Sequence, residues 1–206
     1  TDIQSVASLE LDVLKASEIP ARAFDAFRTE TPVRVEMRPM GHVKTRKVIV
    51  EGDAGAVVKL ANMGLPSILE VEGGSEYLST RMIQNPDTRH LYLPMVQRSW
   101  FDRVIGHLKF NNPAQTGNII GFIQGSRFRV SMDAQSLSRH AKIVYFDSRG
   151  ELTEKEYGEP GGGFILFGVN NGLQTVIVES DGTDRIFAAT TLVEDGYVAS
   201  LSHWLR

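Results

Sequence analysis

Two stretches of the chain alternate apolar and polar residues with period two. Val33, Val35 and Met37 are separated by Arg34 and Glu36, and Phe128, Val130 and Met132 by Arg129 and Ser131. That spacing predicts half-buried β-strands. Four other runs are almost continuously apolar and rich in β-branched or aromatic residues: Lys47–Val50, Ile143–Phe146, Phe164–Phe167 and Thr175–Val178. Short length and nearby glycines predict sandwich-core strands for them rather than helices. Asn170-Asn171-Gly172 and Asp181-Gly182 predict hairpins, because these residue types tolerate positive φ. Asn62-Met63-Gly64 and Gly73-Gly74 are further turn signals. Short strands with turns at intervals of about ten residues predict an all-β sandwich architecture. Helical periodicity is confined to Ser99–Leu108, where Trp100, Phe101, Val104, Ile105 and Leu108 share one face and Ser99 is the expected N-cap. The opening Val6–Leu14 fits helix and strand equally.

The chain also repeats itself. Shifted by 108 positions, Gly55–Leu69 lands on Gly163–Ile177, with Gly55, Asn62, Gly64 and Leu65 matched by identical residues. The match continues ungapped to Asp87 and Asp195. Upstream, Val33–Met37 meets Phe128–Met132 and Lys47–Val50 meets Lys142–Tyr145 at an offset of 95. The 13-residue difference falls in the polar, turn-rich segment from Phe146 to Pro160. A length change confined to a loop is what a duplication should show, since loops absorb insertions at small entropic cost. The expected layout is an N-terminal segment 1–19, a first β-sandwich 20–96, a helical connector 97–112 and a second β-sandwich 113–206.

Composition narrows the function classes. In 206 residues, 22 basic against 25 acidic side chains give a formal charge of −3. This argues against a nucleic-acid binder driven by phosphate neutralisation. No run approaches the 18 or so apolar residues of a membrane-spanning helix. Cysteine is absent, so disulfides, thiol nucleophiles and zinc-thiolate sites are excluded. The chain has no initiator Met and no basic-then-apolar leader at Thr1, which leads us to expect a mature form or one whose targeting segment has been removed.

The second unit resembles a carboxypeptidase regulatory-like domain, the transthyretin-like β-sandwich module. The resemblance is carried by Ile143-Val-Tyr-Phe-Asp147-Ser-Arg-Gly150, then by Gly163-Phe164-Ile-Leu-Phe167-Gly-Val169-Asn-Asn-Gly172-Leu-Gln-Thr-Val176. It covers about 60 residues. The first unit keeps the glycine turn but has Ala56 in place of Phe164 and lacks the acidic insertion, so its assignment rests on the internal repeat. The resemblance implies a non-catalytic accessory or structural module working outside the cytoplasm.

The candidate chemistry is sparse. His42, His90, His107, His140 and His203 show no metal-ligand spacing and do not align between the repeats. Acidic residues gather at Glu70, Glu72 and Glu76 and at Glu179, Asp181 and Asp184, beside the turn signals. They read as solvated turns, with calcium as the sharper alternative. Gly161-Gly162-Gly163 lacks the Lys-Ser/Thr of a phosphate loop and is expected to turn the chain into a core strand. Arg34, Arg38, Lys44, Arg46 and Lys47 form a positive stretch that reads as a solvated strand face. The aromatics Tyr92, Trp100, Phe101, Phe110 and Trp204 lie near the connector or the C-terminus. They read as inter-unit packing, or, for Tyr92, Trp100 and Trp204, as a ligand-binding platform.

No catalytic residue, cofactor or metal ligand is assigned. The expected function is a non-enzymatic, extracytoplasmic module acting in cell-surface assembly, adhesion or secretion through protein partners. The alternatives are a carbohydrate-binding module, with a polysaccharide as ligand, and an accessory domain of a larger secreted hydrolase.

Overall fold

The structure, a computed structural model, describes residues 15–40, 48–50, 56–62, 66–85, 88–181 and 186–204. Val6–Leu14, His42, the lysines and arginine of 44–47, and Asp184 lie outside the described residues.

In chain order the first half holds β1 (Lys15–Asp25), β2 (Arg28–Pro32), β3 (Val35–Pro39), β4 (Val48–Val50), β5 (Ala56–Asn62), β6 (Ser67–Glu72), β7 (Thr80–Gln84) and β8 (Leu91–Met95). The helix α1 (Arg98–Leu108) follows. The second half holds β9 (Thr116–Gln124), β10 (Phe128–Met132), β11 (Leu137–Phe146), β12 (Leu152–Thr153), β13 (Gly163–Asn170), β14 (Gly172–Ser180), β15 (Ile186–Val193) and β16 (Val198–Trp204). Among the described residues the protein is all-β with one α-helix, as the periodicity predicts.

Each half closes its own core between two sheets. In the first, β1 pairs with β2, β5 and β8, and this sheet faces one made of β3, β4, β6 and β7. Ile19, Ala21 and Ala23 of β1 and Leu91, Leu93 and Met95 of β8 meet Val35, Met37, Leu69 and Val71 from the opposite sheet. In the second, the sheet β10-β14-β15 covers β12-β11-β13-β9-β16. Phe128, Val130, Val176 and Val178 there meet Ile119, Ile123, Phe164 and Leu166. These are the alternate positions of the period-two segments: Val35 and Met37 point inward while Glu36 and Arg38 point out.

The strand pairing recurs between the halves. β1 runs antiparallel to β5 and parallel to β8. In the same way β9 runs antiparallel to β13 and parallel to β16. The β3–β6–β7 antiparallel order matches β10–β14–β15. The departure is β4, which pairs with β3, whereas β11 joins the other sheet beside β13.

The halves are fused rather than strung together. Val198 and Ala199 of β16 pair in parallel with Thr80 and Arg81 of β7, making one sheet of nine strands across both. Behind it, α1 buries Trp100, Phe101 and Val104 against Ile120, Phe146, Ile165 and Phe167. Those residues lie on the outer face of the second sandwich's larger sheet. This explains why β13 is buried at seven consecutive positions: a sheet covers one face and a helix the other, so alternation disappears.

Two local expectations are corrected. Asn170–Gly172 does not close a hairpin. Both edges of β13 are already taken by β11 and β9, so the chain crosses to the opposite sheet, with Gly172 at φ +117° turning the corner. The β5–β6 connection crosses between sheets likewise. The Asp181 turn does join an antiparallel pair, β14 and β15. The N-cap lies two residues earlier than expected, at Gln97 rather than Ser99, with no side-chain capping bond. Arg98 N–H is instead held by the Glu76 carbonyl at 2.8 Å.

Candidate functional site: the junction between the sandwiches

The β7–β16 seam carries a row of charges. Register places Arg38 beside Glu70 and Glu70 beside Arg81 on adjacent strands. Leu69 and Val71 fill the first core, so Glu70 lies on the outer face of its sheet, yet it is only 1% exposed. Arg38 Nε donates to its carboxylate at 2.8 Å, and Arg81 Nη2 donates at 3.1 Å. Arg81 also ion-pairs with Glu194 and stacks its guanidinium 3.6 Å from the centre of the Tyr197 ring. Glu194 and Tyr197 precede β16, so a buried arginine of the first sandwich is gripped by the second. Burial alone would raise the Glu70 carboxyl, but the hydrogen bonds and charges of Arg38 and Arg81 bring it below the usual carboxylate range. The same hydrogen bond, from the other side, raises the Arg38 guanidinium.

Glu70 therefore corrects the reading of Glu70, Glu72 and Glu76 as a solvated turn: it is a mid-strand buried anion already taken by two cations. Arg38, expected on a solvated face, is one of them. The sequence signal was slight, an acid set directly between Leu69 and Val71 in the strand that Glu72 ends.

On the helix side, Phe27 of the β1–β2 turn sits 4.5 Å from Trp100 and 5.6 Å from Phe146, centre to centre. The Trp100 indole N–H donates to the Gly150 carbonyl at 2.8 Å, and the ring is 6% exposed. Trp100 thus packs the inter-unit core rather than standing out as an exposed platform, and only a small part of it reaches the neighbouring cavities. Asp25 is 1% exposed and holds the same corner. Its carboxylate accepts from Phe27 N–H at 3.0 Å and from the Gln97 amide at 2.6 Å.

Tyr92 lies elsewhere. It lines an open groove of about 910 Å³ between the sandwiches, together with His90, Ile68, Met82, Leu173 and Phe187. Its ring is 40% exposed and stacks with His90 at 6.3 Å and 18°. Leu173 is 65% exposed, and Ile186, at the start of β15, is 70% exposed. Among the described residues β15 pairs only with β14, and its Phe187–Thr190 stretch faces β7 and β16 across the groove. The backbone of Trp204 ends β16, while its side chain lies outside the described residues. The structure thus separates Tyr92 from Trp100 instead of gathering them in one platform. Among the described residues, no group of three or more His, Asp or Glu side chains could hold a metal ion, and no helix is long and apolar enough to cross a membrane.

No family model matches the chain, and no curated protein matches its sequence. Among solved structures, the Bacillus anthracis TIE protein aligns over 92% of this chain and 33% of its own, at 9% identity and a TM-score of 0.27. The shaft pilin spaA from Lactobacillus rhamnosus GG aligns over 92% of this chain and 98% of its own, at 10% identity and a TM-score of 0.25. A fimbrial protein from Bacteroides ovatus aligns over 94% and 51%, at 7% identity and a TM-score of 0.19. At such scores the architecture rests on its own strand pairing and not on these likenesses.

Proposed function

We propose that the protein is a non-catalytic, extracytoplasmic module of cell-surface assembly, adhesion or secretion that acts through protein partners. In this reading it is built from two tandem copies of a transthyretin-like sandwich, 20–96 and 113–206, joined by the connector 97–112. The observation that carries it is the recurrence of one strand-pairing scheme in both halves, locked into a nine-stranded sheet, with β15 unpaired on one edge among the described residues beside an apolar groove. An unpaired strand edge offers a row of backbone donors and acceptors to an extended segment of another chain. Exposed Ile186 at the start of β15 and Leu173 at the start of β14, near opposite ends of the pair, would supply apolar contacts of the kind that interfaces bury.

The test uses the full-length gene product on intact cells. Protease added outside should cleave it. Leu173→Lys with Ile186→Lys should abolish surface assembly or adhesion while the purified protein keeps its melting temperature. Protection from external protease, or wild-type assembly by the double variant, would overturn the proposal. The carbohydrate reading is favoured by one feature, the exposed Tyr92 ring stacked on His90. Its test is a glycan titration of Tyr92→Ala against wild type, in which equal binding or none removes it.

A further inference from the structure

At the corner where the β1–β2 turn, the start of α1 and the loop after β11 meet, there is a cavity of about 370 Å³. Arg28 at the start of β2, Arg103 in the middle of α1 and Arg149 in the loop after β11 line it, each exposed. No hydrogen bond, ion pair or ring contact occupies any of the three guanidinium groups among the described residues. The carboxylate in the cavity, Asp25, is already engaged by Gln97, by Phe27 N–H and more distantly by the Tyr77 hydroxyl at 3.4 Å. Three cations therefore face one saturated anion, in a chain whose overall charge is negative.

A second cavity of about 270 Å³ shares Trp100 and Arg103 with the first and continues along Val104, His107, Glu151 and Leu152. The pair of cavities has a cationic half and a mixed half, in which Val104 and Leu152 supply apolar surface and Glu151 a carboxylate that can accept from sugar hydroxyls. The packing that shapes the corner is rigid: Phe27 is wedged between Trp100 and Phe146. The Asp147 carboxylate accepts the N–H groups of Arg149, at 2.8 Å, and of Glu151, at 2.9 Å, fixing the loop that presents Arg149.

We propose that this corner binds an acidic monosaccharide unit. Its carboxylate sits among Arg28, Arg103 and Arg149, and its ring lies toward Trp100 and Leu152. Guanidinium groups match the planar, two-oxygen geometry of a carboxylate. The cavity has the volume for one sugar ring rather than a chain. This site is distinct from the Tyr92 groove and does not depend on the protein-partner reading.

The test is NMR titration of the whole chain with glucuronate, with glucose as its neutral counterpart, and with sulfate as a bare oxyanion. Glucuronate should shift the Trp100 indole and the three arginine side-chain N–H signals and saturate in the low millimolar range. Glucose should leave them unmoved, and sulfate should compete. Raising the salt should weaken binding, as exposed charges are screened. Arg103→Gln with Arg149→Gln should weaken glucuronate at least tenfold without lowering the melting temperature. Glucose shifting the same signals as strongly, sulfate binding where glucuronate does not, or an unchanged affinity in the double variant would each overturn the proposal.

Discussion

Replacing Glu70 by Gln keeps the side-chain volume and removes the charge. In the wild type this buried carboxylate holds Arg38 at 2.8 Å and Arg81 at 3.1 Å. Arg81 is 5% exposed and cannot turn to water, so after the change Glu194 is its one anionic partner. Arg38 is 46% exposed and relaxes into solvent, so its share of the loss is small. Breaking one partner of a buried pair costs about 3–5 kcal/mol, and retention of Glu194 brings the expectation for Glu70→Gln to about 2–3 kcal/mol. For a chain of this size that is a fall of roughly 4–12 °C in melting temperature. Replacing the pair with Glu70→Leu and Arg81→Met should recover most of the loss, since apolar substitutes of similar volume remove the desolvation cost together with the attraction. The pH dependence has a definite sign. The folded carboxyl titrates below its unfolded value of about 4.3, so its contribution is complete above that pH and is lost as the pH falls through the lower, folded value. Urea unfolding from pH 7 to pH 3 should therefore show the gap between wild type and Glu70→Gln narrowing below about pH 4. A Glu70→Gln variant as stable as wild type at pH 7, or a gap that widens in acid, would refute the reasoning.

Two further outcomes are expected. Trp100→Phe deprives the buried Gly150 carbonyl of its indole donor and should cost about 1–3 kcal/mol in denaturant unfolding; the wild-type emission should also be blue-shifted by the covered indole, and a neutral substitution would contradict the placement. Gly121→Ala would set a Cβ 2.1 Å from the Phe164 ring at the centre of the second core, so calorimetry should show about 1–3 kcal/mol or more of destabilisation, whereas a tolerated alanine would mean that β9 and β13 approach less closely.

Much of the fold is legible in residues taken one segment at a time. The alternation at Phe128–Met132 and the β-branched run at Thr175–Val178 specify strands whichever partner they find. What escapes is which sheet each strand joins. Asn170–Gly172 has hairpin chemistry, but the pairing of β13 on both edges, decided by distant residues, turns it into a crossing. Ser99 is a good N-cap in isolation, yet the Glu76 carbonyl captures Arg98 and starts the helix earlier. Trp100 reads first as inter-unit packing and second as a binding platform, and what it packs against is visible only once Phe27, far upstream, is seen beside it. The charged features are the least legible, because Glu70 and Arg81, or Arg28, Arg103 and Arg149, become neighbours only through tertiary packing.

Two sandwiches of like strand pairing share the β7–β16 seam and the α1 packing, and so joined they should move as one body. Since the chain has no cysteine, spin labels can be placed singly at Glu30→Cys on β2 and Glu179→Cys on β14, both exposed. Pulsed electron–electron dipolar spectroscopy should give a single narrow distance distribution. A broad or two-peaked distribution, with each half still folded, would contradict that single-body motion.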